Sequence, residues 1–322
     1  MIISRTPLRV SFCGGGTDID DFSMSEPKGG RVVSAALSRY VYVTINRRFD
    51  DRIRVSYLTM EDVVSIENIQ HGLVREALRL TGIESGVEIT TIADIPGQGT
   101  GLGSSSSVTV GLLNAMHAFQ GREVSKEQLA EEACQIEIDT LGAPIGRQDQ
   151  YAASFGGVNS IRFGENGVQV EPIEVSEGLT KKFSENFTLV FTGLTRSASK
   201  VLSEQSDDES DKNSRMAEIR KHADEAASHI EHGDLDSLGA ILNQTWISKR
   251  GVSSMVTNTQ IDDLYERVIS SGALGAKLLG AGNGGFLLVC GNRQLRGILQ
   301  RELGEGHRMF PLEIDFSGSS II

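Results

Sequence analysis

The 322-residue chain is poor in cysteine (three), proline (six) and tryptophan (one). Cys13, Cys134 and Cys290 are far apart, odd in number and without zinc-type spacing. This excludes a disulfide scaffold and points to unpaired thiols in a reducing compartment. No apolar run reaches the ~20 residues that a spanning helix needs. The opening segment MIISRTPLRV has no apolar core or cleavage site of a signal peptide. The expected location is therefore cytoplasmic, with no membrane partner. A basic excess is also missing: 31 Lys and Arg stand against 43 Asp and Glu, for a formal net charge of -12. That excludes a general nucleic-acid binder, and an anionic substrate would need a locally positive pocket.

Glycine, by contrast, is abundant at 36 residues. Length suggests about two domains, with the boundary near 175–185, taken here as residues 1–178 and 179–322. Tyr40–Asn46 and Arg52–Tyr57 are rich in β-branched and aromatic residues or alternate in polarity, and together predict a hairpin. Val87–Ile92 predicts a strand. Val158–Phe163 and Val168–Ile173, joined by a Gly-Glu-Asn-Gly turn, predict a second hairpin. Strands joined by hairpins, with few helices between them, indicate an α+β fold. The polar stretch Ser203–Asn213 predicts a mobile loop. Helical spacing follows over Ser214–His232, Asp234–Ser248 and Gln260–Ser271, and strands over Phe286–Val289 and Met309–Phe316.

The segment Ile95–Gly121 reads IPGQGTGLGSSSSVTVGLLNAMHAFQG, with glycine at every second position from Gly97 to Gly103. A flexible linker is the plain alternative. It does not suit flanks that carry a strand on one side and helical spacing at Val108, Leu112, Ala115, Met116 and Phe119 on the other. Backbone amides without Cβ neighbours can approach an anion closely, and a helix N-terminus adds unpaired N–H groups and partial positive charge. Serine hydroxyls at 104–107 can cap, bond phosphate or ligate Mg²⁺. The loop is not a Walker A loop, because no lysine occurs between Lys28 and Lys126. Its glycine spacing also differs from the dinucleotide fingerprint.

Pro96-x-x-x-x-Gly101-Leu102-Gly103-Ser104-Ser105-Ser106 resembles the central motif of the GHMP kinases. Arg5–Asp18 (RTPLRVSFCGGGTD) is similar to the N-terminal motif of that superfamily, and Lys277–Phe286 (KLLGAGNGGF) to its C-terminal glycine-rich motif. The three stand in family order and span nearly the whole chain. Gly14–Asp18, Gly146–Ala153, Thr192–Ala198 and Phe310–Phe316 further resemble the D-glycero-D-manno-heptose 7-phosphate kinase branch; L-fucokinase-like enzymes share much of this pattern. The resemblance implies an N-terminal ribosomal-protein-S5-like domain and a C-terminal ferredoxin-like domain with a cleft between. It also implies ATP and Mg²⁺, and a small-molecule sugar phosphate as partner. A homodimer is allowed for.

The resemblance also implies roles. Pro96, Gly99, Gly101, Leu102, Gly103, Ser104, Ser105 and Ser106 would hold the nucleotide, and Ser105 with Glu137 the metal. Independently, Ser125 and Gln128 read as a capping box, and Ala130, Ala133, Cys134 and Glu137 share one face of the helix that follows; a helix-end ion pair is the alternative for Glu137. Asp149 matches the catalytic aspartate, with an N-cap as the alternative. Arg9 matches the basic residue beside the transferred phosphate, with a surface position on an edge strand as the alternative. Gly15, Gly16, Thr17 and Asp18 would contact the sugar, and Gly282 would lie in a loop closing the site. A second phosphate on the sugar needs a cation. Arg147, Arg196, Lys249 and Arg250 are the candidates, Arg196 first and Arg147 beside it, with solvated surface charge as the alternative for each. Asn283 replaces a glycine usual in the last loop, and asparagine tolerates positive φ. Trp246 is read as core.

Overall fold

In the computed structural model, the described residues are 1–95, 99–195, 209–253, 255–304 and 306–322. The long strands β1 (Ile2–Cys13) and β2 (Gly30–Arg47) pair antiparallel and form the spine of an eight-stranded sheet. Away from β1, β2 pairs first with β6 (Val158–Gly164) over Gly30–Ala35 and then with β5 (Val87–Ala93) over Val41–Arg47. The expected hairpin between β6 and β7 (Gly167–Pro172) forms. The other expected hairpin does not. β5 inserts between β2 and β3 (Ile53–Ser56), pairing antiparallel with the first and parallel with the second, while β3 forms its antiparallel pair with β4 (Met60–Val63). The register places Ile89 opposite both Ile45 and Val55, all three fully buried. A central strand seals that apolar row from both sides, which a direct β2–β3 hairpin cannot do.

After α1 (Asp20–Ser23) and α2 (Gly72–Thr81), helix α3 (Ser104–Phe119) runs along β1. The Ser4 hydroxyl donates to the Gly111 carbonyl at 2.7 Å and the Ser107 hydroxyl to the Pro7 carbonyl at 2.8 Å. A Cβ on Gly111 would meet Thr6 Oγ1 at 3.0 Å and Val43 Cγ2 at 3.2 Å, so a larger residue there would push these side chains aside by a few tenths of an ångström. These ties bring the N-terminus of α3 alongside Arg9. Helix α4 (Lys126–Cys134) starts at Ser125, whose hydroxyl accepts from Gln128 N; the Gln128 side chain turns to Glu132, so the capping box is half formed. The helix widens into a π-turn over Gln135–Thr140. Helix α5 (Gln148–Phe155) leads into β6.

The second sheet has the order β11–β8–β10–β9, all antiparallel: β8 (Phe187–Phe191), β9 (Gly275–Leu278), β10 (Phe286–Cys290) and β11 (Met309–Pro311). It is accompanied by α6 (Glu177–Asn186), α7 (Glu209–Glu231), α8 (Leu235–Arg250), α9 (Thr259–Ser270) and α10 (Leu295–Leu303). Residues 209–213 of the expected loop belong to α7, while the rest of that stretch up to residue 208 lies outside the described residues. The last expected strand is shorter than predicted, because Asp315 and Ile314 turn back to the first sheet at Ala36 and Leu37. The chain then returns as β12 (Ser320–Ile321) on β1. One apolar cluster runs through both sheets, from Leu8 to Ile314. At its centre Phe12, Phe183 and Phe187 pack with ring centroids 5.5–5.7 Å apart. Trp246 is fully buried, as expected, and all three cysteines are free and buried.

Candidate active site

Gly103 takes φ 75° as the residue before α3, a left-handed value that glycine adopts without strain. No described side chain caps the helix there, so first-turn amides remain for an anion. The four serines divide by neighbourhood. Ser107 is spent on the Pro7 carbonyl, and Ser104 meets the Thr100 hydroxyl at 3.3 Å. Ser106 is buried at the cavity wall, and Ser105 is exposed to the cavity. Ser105 donates to Glu137 Oε1 at 2.6 Å, and Gln150 Nε2 donates to Glu137 Oε2 at 2.7 Å. Glu137 is 2% exposed, and burial raises its pKa against the lowering effect of these hydrogen bonds. The π-turn matters here, since it carries Glu137 at the point where the small-residue face of α4 meets α3 and α5.

Arg9 is buried on β1, which excludes the surface alternative. Its Nε and Nη2 donate to the two oxygens of Asp149 at 2.7 and 2.8 Å, and its Nη1 donates to the Gly101 carbonyl at 2.6 Å. Its backbone N donates to the Leu102 carbonyl at 3.0 Å. Asp149 lies inside the first turn of α5, and Arg147 is the residue that precedes the helix, so Asp149 is not the N-cap. Gly101 in turn packs on the last glycine-rich loop. A Cβ on Gly101 would sit 2.5 Å from the Leu279 carbonyl oxygen, and one on Gly280 would sit 2.5 Å from Gly101 Cα. The two loops touch backbone to backbone. Asn283 takes the expected positive φ, 58°, and its N donates to the Val256 carbonyl at 2.8 Å.

Asp18 is buried, and its oxygens accept from Gly16 N at 2.9 Å, Gln148 N at 3.1 Å and Gln148 Nε2 at 2.8 Å. Burial raises its pKa, and the Asp149 charge adds to this against the lowering by its hydrogen bonds. Gly146 is required beside it: a Cβ there would fall 2.0 Å from Asp18 Oδ2. Gly15, Gly16, Asp18, Gly99, Gly101, Gly103 to Ser106, Glu137, Asp149, Arg9 and Gly282 all line one cavity of about 910 Å³. Four expected residues among the described ones do not line it: Thr17, Leu102, Arg147 and Arg250. The Thr17 hydroxyl, fully buried, shares its one proton between the Gly14 and Arg31 carbonyls at 2.8 and 3.0 Å and accepts from Arg31 N. Leu102 is a core residue. Arg147 pairs with Asp20 at 2.8 Å and borders a smaller recess by Cys134 and Tyr151. Pro96 and Arg196 lie outside the described residues. Arg250 is spent on Asp262 and the Tyr265 ring.

Sequence reasoning overlooked Gln148 and Gln150, the donors that hold Asp18 and Glu137. Their only signal was a polar run, Arg147–Gln150, between Gly146 and Tyr151. It also overlooked Lys277, whose Nζ donates to the Ser11 and Phe12 carbonyls at 2.6 and 2.9 Å and so ties β9 to the end of β1 just before the Gly14–Gly16 turn.

The family profile described as GHMP kinases N terminal domain matches residues 67–157, and that described as GHMP kinases C terminal matches residues 226–306. A D-glycero-alpha-D-manno-heptose 7-phosphate kinase of Campylobacter jejuni is 31% identical, with 89% of this chain and 88% of that protein covered. The chain belongs to the GHMP kinases. The expected α+β fold with N- and C-terminal domains is the GHMP kinase fold. A crystal structure of a D-glycero-D-manno-heptose 1-phosphate kinase from Bacteroides thetaiotaomicron superposes with TM-score 0.83 over 100% of this chain and 99% of that one, at 22% identity, a likeness of fold. A bifunctional fucokinase/GDP-fucose pyrophosphorylase of Arabidopsis thaliana is 28% identical over 96% of this chain, which spans 31% of that longer protein. The chain is a sugar kinase of this family, and the family draws its phosphate from ATP. No helix among the described residues is long and apolar enough to cross a membrane.

Proposed function

We propose that this kinase transfers the γ-phosphoryl group of ATP to the anomeric hydroxyl of D-glycero-D-manno-heptose 7-phosphate, giving the 1,7-bisphosphate. The observation that carries the reading is the Arg9–Asp149 pair, set directly below the uncapped start of α3 and beside Asp18. Asp149 accepts the proton of the acceptor hydroxyl. A bond forms from that oxygen to phosphorus while the bond to the β-phosphate oxygen breaks, and ADP leaves with the electron pair. Arg9 fixes the Asp149 carboxylate and lies where charge develops on the phosphoryl oxygens. Asp18 orients sugar hydroxyls, and amides of Gly101 to Ser106 hold the triphosphate.

The oxygen donors Ser105 Oγ and Glu137 Oε1 suit Mg²⁺, which takes one or two protein oxygens and otherwise water and phosphate. The buried carboxylate, with no cation partner among the described residues, supports this. When bound there, the ion neutralises phosphate charge. The nucleotide half is residues 1–178 and the second half 179–322, in a cytoplasmic enzyme. Purified protein with MgATP and the heptose 7-phosphate should release ADP. Absence of turnover with that sugar, free heptoses and hexoses alike overturns the reading.

The similarity to the fucokinase supports a second reading, a kinase of an unphosphorylated sugar. The free and phosphorylated sugars at equal concentration separate the two. A non-catalytic ATP and sugar sensor on the same fold would bind both ligands without ADP release.

A further inference from the structure

Lys249 stands in the last turn of α8 and lines the same cavity as Arg9, Asp18 and Ser105. Part of its side chain is open to that cavity, while the ammonium sits deep among protein atoms. Among the described residues it pairs with no carboxylate, and its hydrogen bond goes to the Gly280 carbonyl. Gly280 is the residue that presses on Gly101, and the Gly101 carbonyl is the acceptor for Arg9 Nη1. Two cations, one from β1 and one from α8, thus hold carbonyls of two touching glycines at the foot of the phosphate loop. Lys212 also lines the cavity, on α7, but among the described residues no hydrogen bond ties it to this crossing.

A single neutral carbonyl leaves two N–H groups of an ammonium without acceptors. An enclosed cation without a counter-charge is costly and is retained where an anionic ligand supplies the charge. The charged groups around it are Arg9 on β1, Lys277 on β9 and Asp18 in the turn after β1. Its bond to the Gly280 carbonyl, against Gly101, places the ammonium at the phosphate-loop end of the cavity.

We infer that Lys249 is a catalytic residue that contacts the transferred phosphoryl group together with Arg9, so that the second half of the chain supplies a cation to a phosphate held by the first. This rests on the kinase reading, yet it can be tested without any sugar. Calorimetry with wild type, Lys249→Met and Lys249→Arg should compare a non-hydrolysable ATP analogue with ADP, both with Mg²⁺. Loss of a charge-assisted bond should weaken the analogue by about ten- to a hundredfold in Lys249→Met and leave ADP within about twofold. Lys249→Arg should recover most of the loss. Equal weakening of both nucleotides would reduce Lys249 to a clamp on Gly280, and an unchanged analogue affinity would assign it elsewhere; either result overturns the inference. A wild type that binds the analogue more tightly than ADP but turns over no sugar overturns only the substrate reading.

Discussion

Arg9 and Asp149 are 140 residues apart in the chain and meet through two near-parallel hydrogen bonds of 2.7 and 2.8 Å. The fork of the guanidinium fixes the plane of the carboxylate, so Asp149 presents one orientation to the cavity. A Cβ on Gly103 would sit 3.1 Å from Arg9 Cγ and 3.2 Å from Asp149 Oδ2, which places the pair directly beneath the first amides of α3.

Replacing Asp149 by Asn removes the proton acceptor and one prong of this pair. The expected loss in kcat is about 10²–10⁴-fold, with analogue binding by calorimetry nearly unchanged. A variant that keeps more than about a tenth of wild-type kcat would remove Asp149 from the chemistry.

The contact between the two glycine-rich loops gives a paired stability test. Gly101 and Gly121 both have positive φ, 74° and 73°, but a Cβ on Gly101 meets the Leu279 carbonyl whereas Gly121 faces open space. Gly121→Ala should cost about 1–2 kcal/mol, the left-handed penalty alone. Gly101→Ala should cost at least about 2 kcal/mol more in denaturant unfolding and also lose nucleotide binding. Equal costs would mean the loops do not touch.

Burial raises the pKa of Glu137. A carboxylate whose folded pKa lies above its unfolded value favours the folded state at low pH, and that contribution is lost as pH rises through the folded pKa. Glu137→Gln should therefore raise the melting temperature of the ligand-free protein by about 1–3 °C at pH 7–8 and much less near pH 4. Gln150 Oε1, buried and unpaired, can accept from the new amide after an amide flip. The same variant should need more Mg²⁺ for half-maximal turnover. A lower melting temperature at neutral pH, measured calorimetrically, would contradict the raised pKa.

Asp18 is likewise raised by burial. Orienting sugar hydroxyls as an acceptor requires its ionised form, which is lost on acidification at a higher pH than for an ordinary aspartate. The KM for sugar should thus climb as pH falls, while analogue affinity stays level. In Asp18→Asn the KM should start about tenfold or more higher and lose that pH dependence. A KM that tracks wild type would place the sugar elsewhere.

Helix α3, the β6–β7 hairpin and helices α8 and α9 followed from residues close in sequence, because apolar spacing and turn glycines act over a few residues. The three motifs carried the family in the same way. Tertiary structure alone decided that β5 separates β2 from β3, that β12 closes on β1, and that Arg9 clasps Asp149. It also turned Thr17 away from the cavity and Lys249 into it. Those outcomes depend on which distant surfaces bury one another best, a competition among long-range pairings that no local stretch encodes.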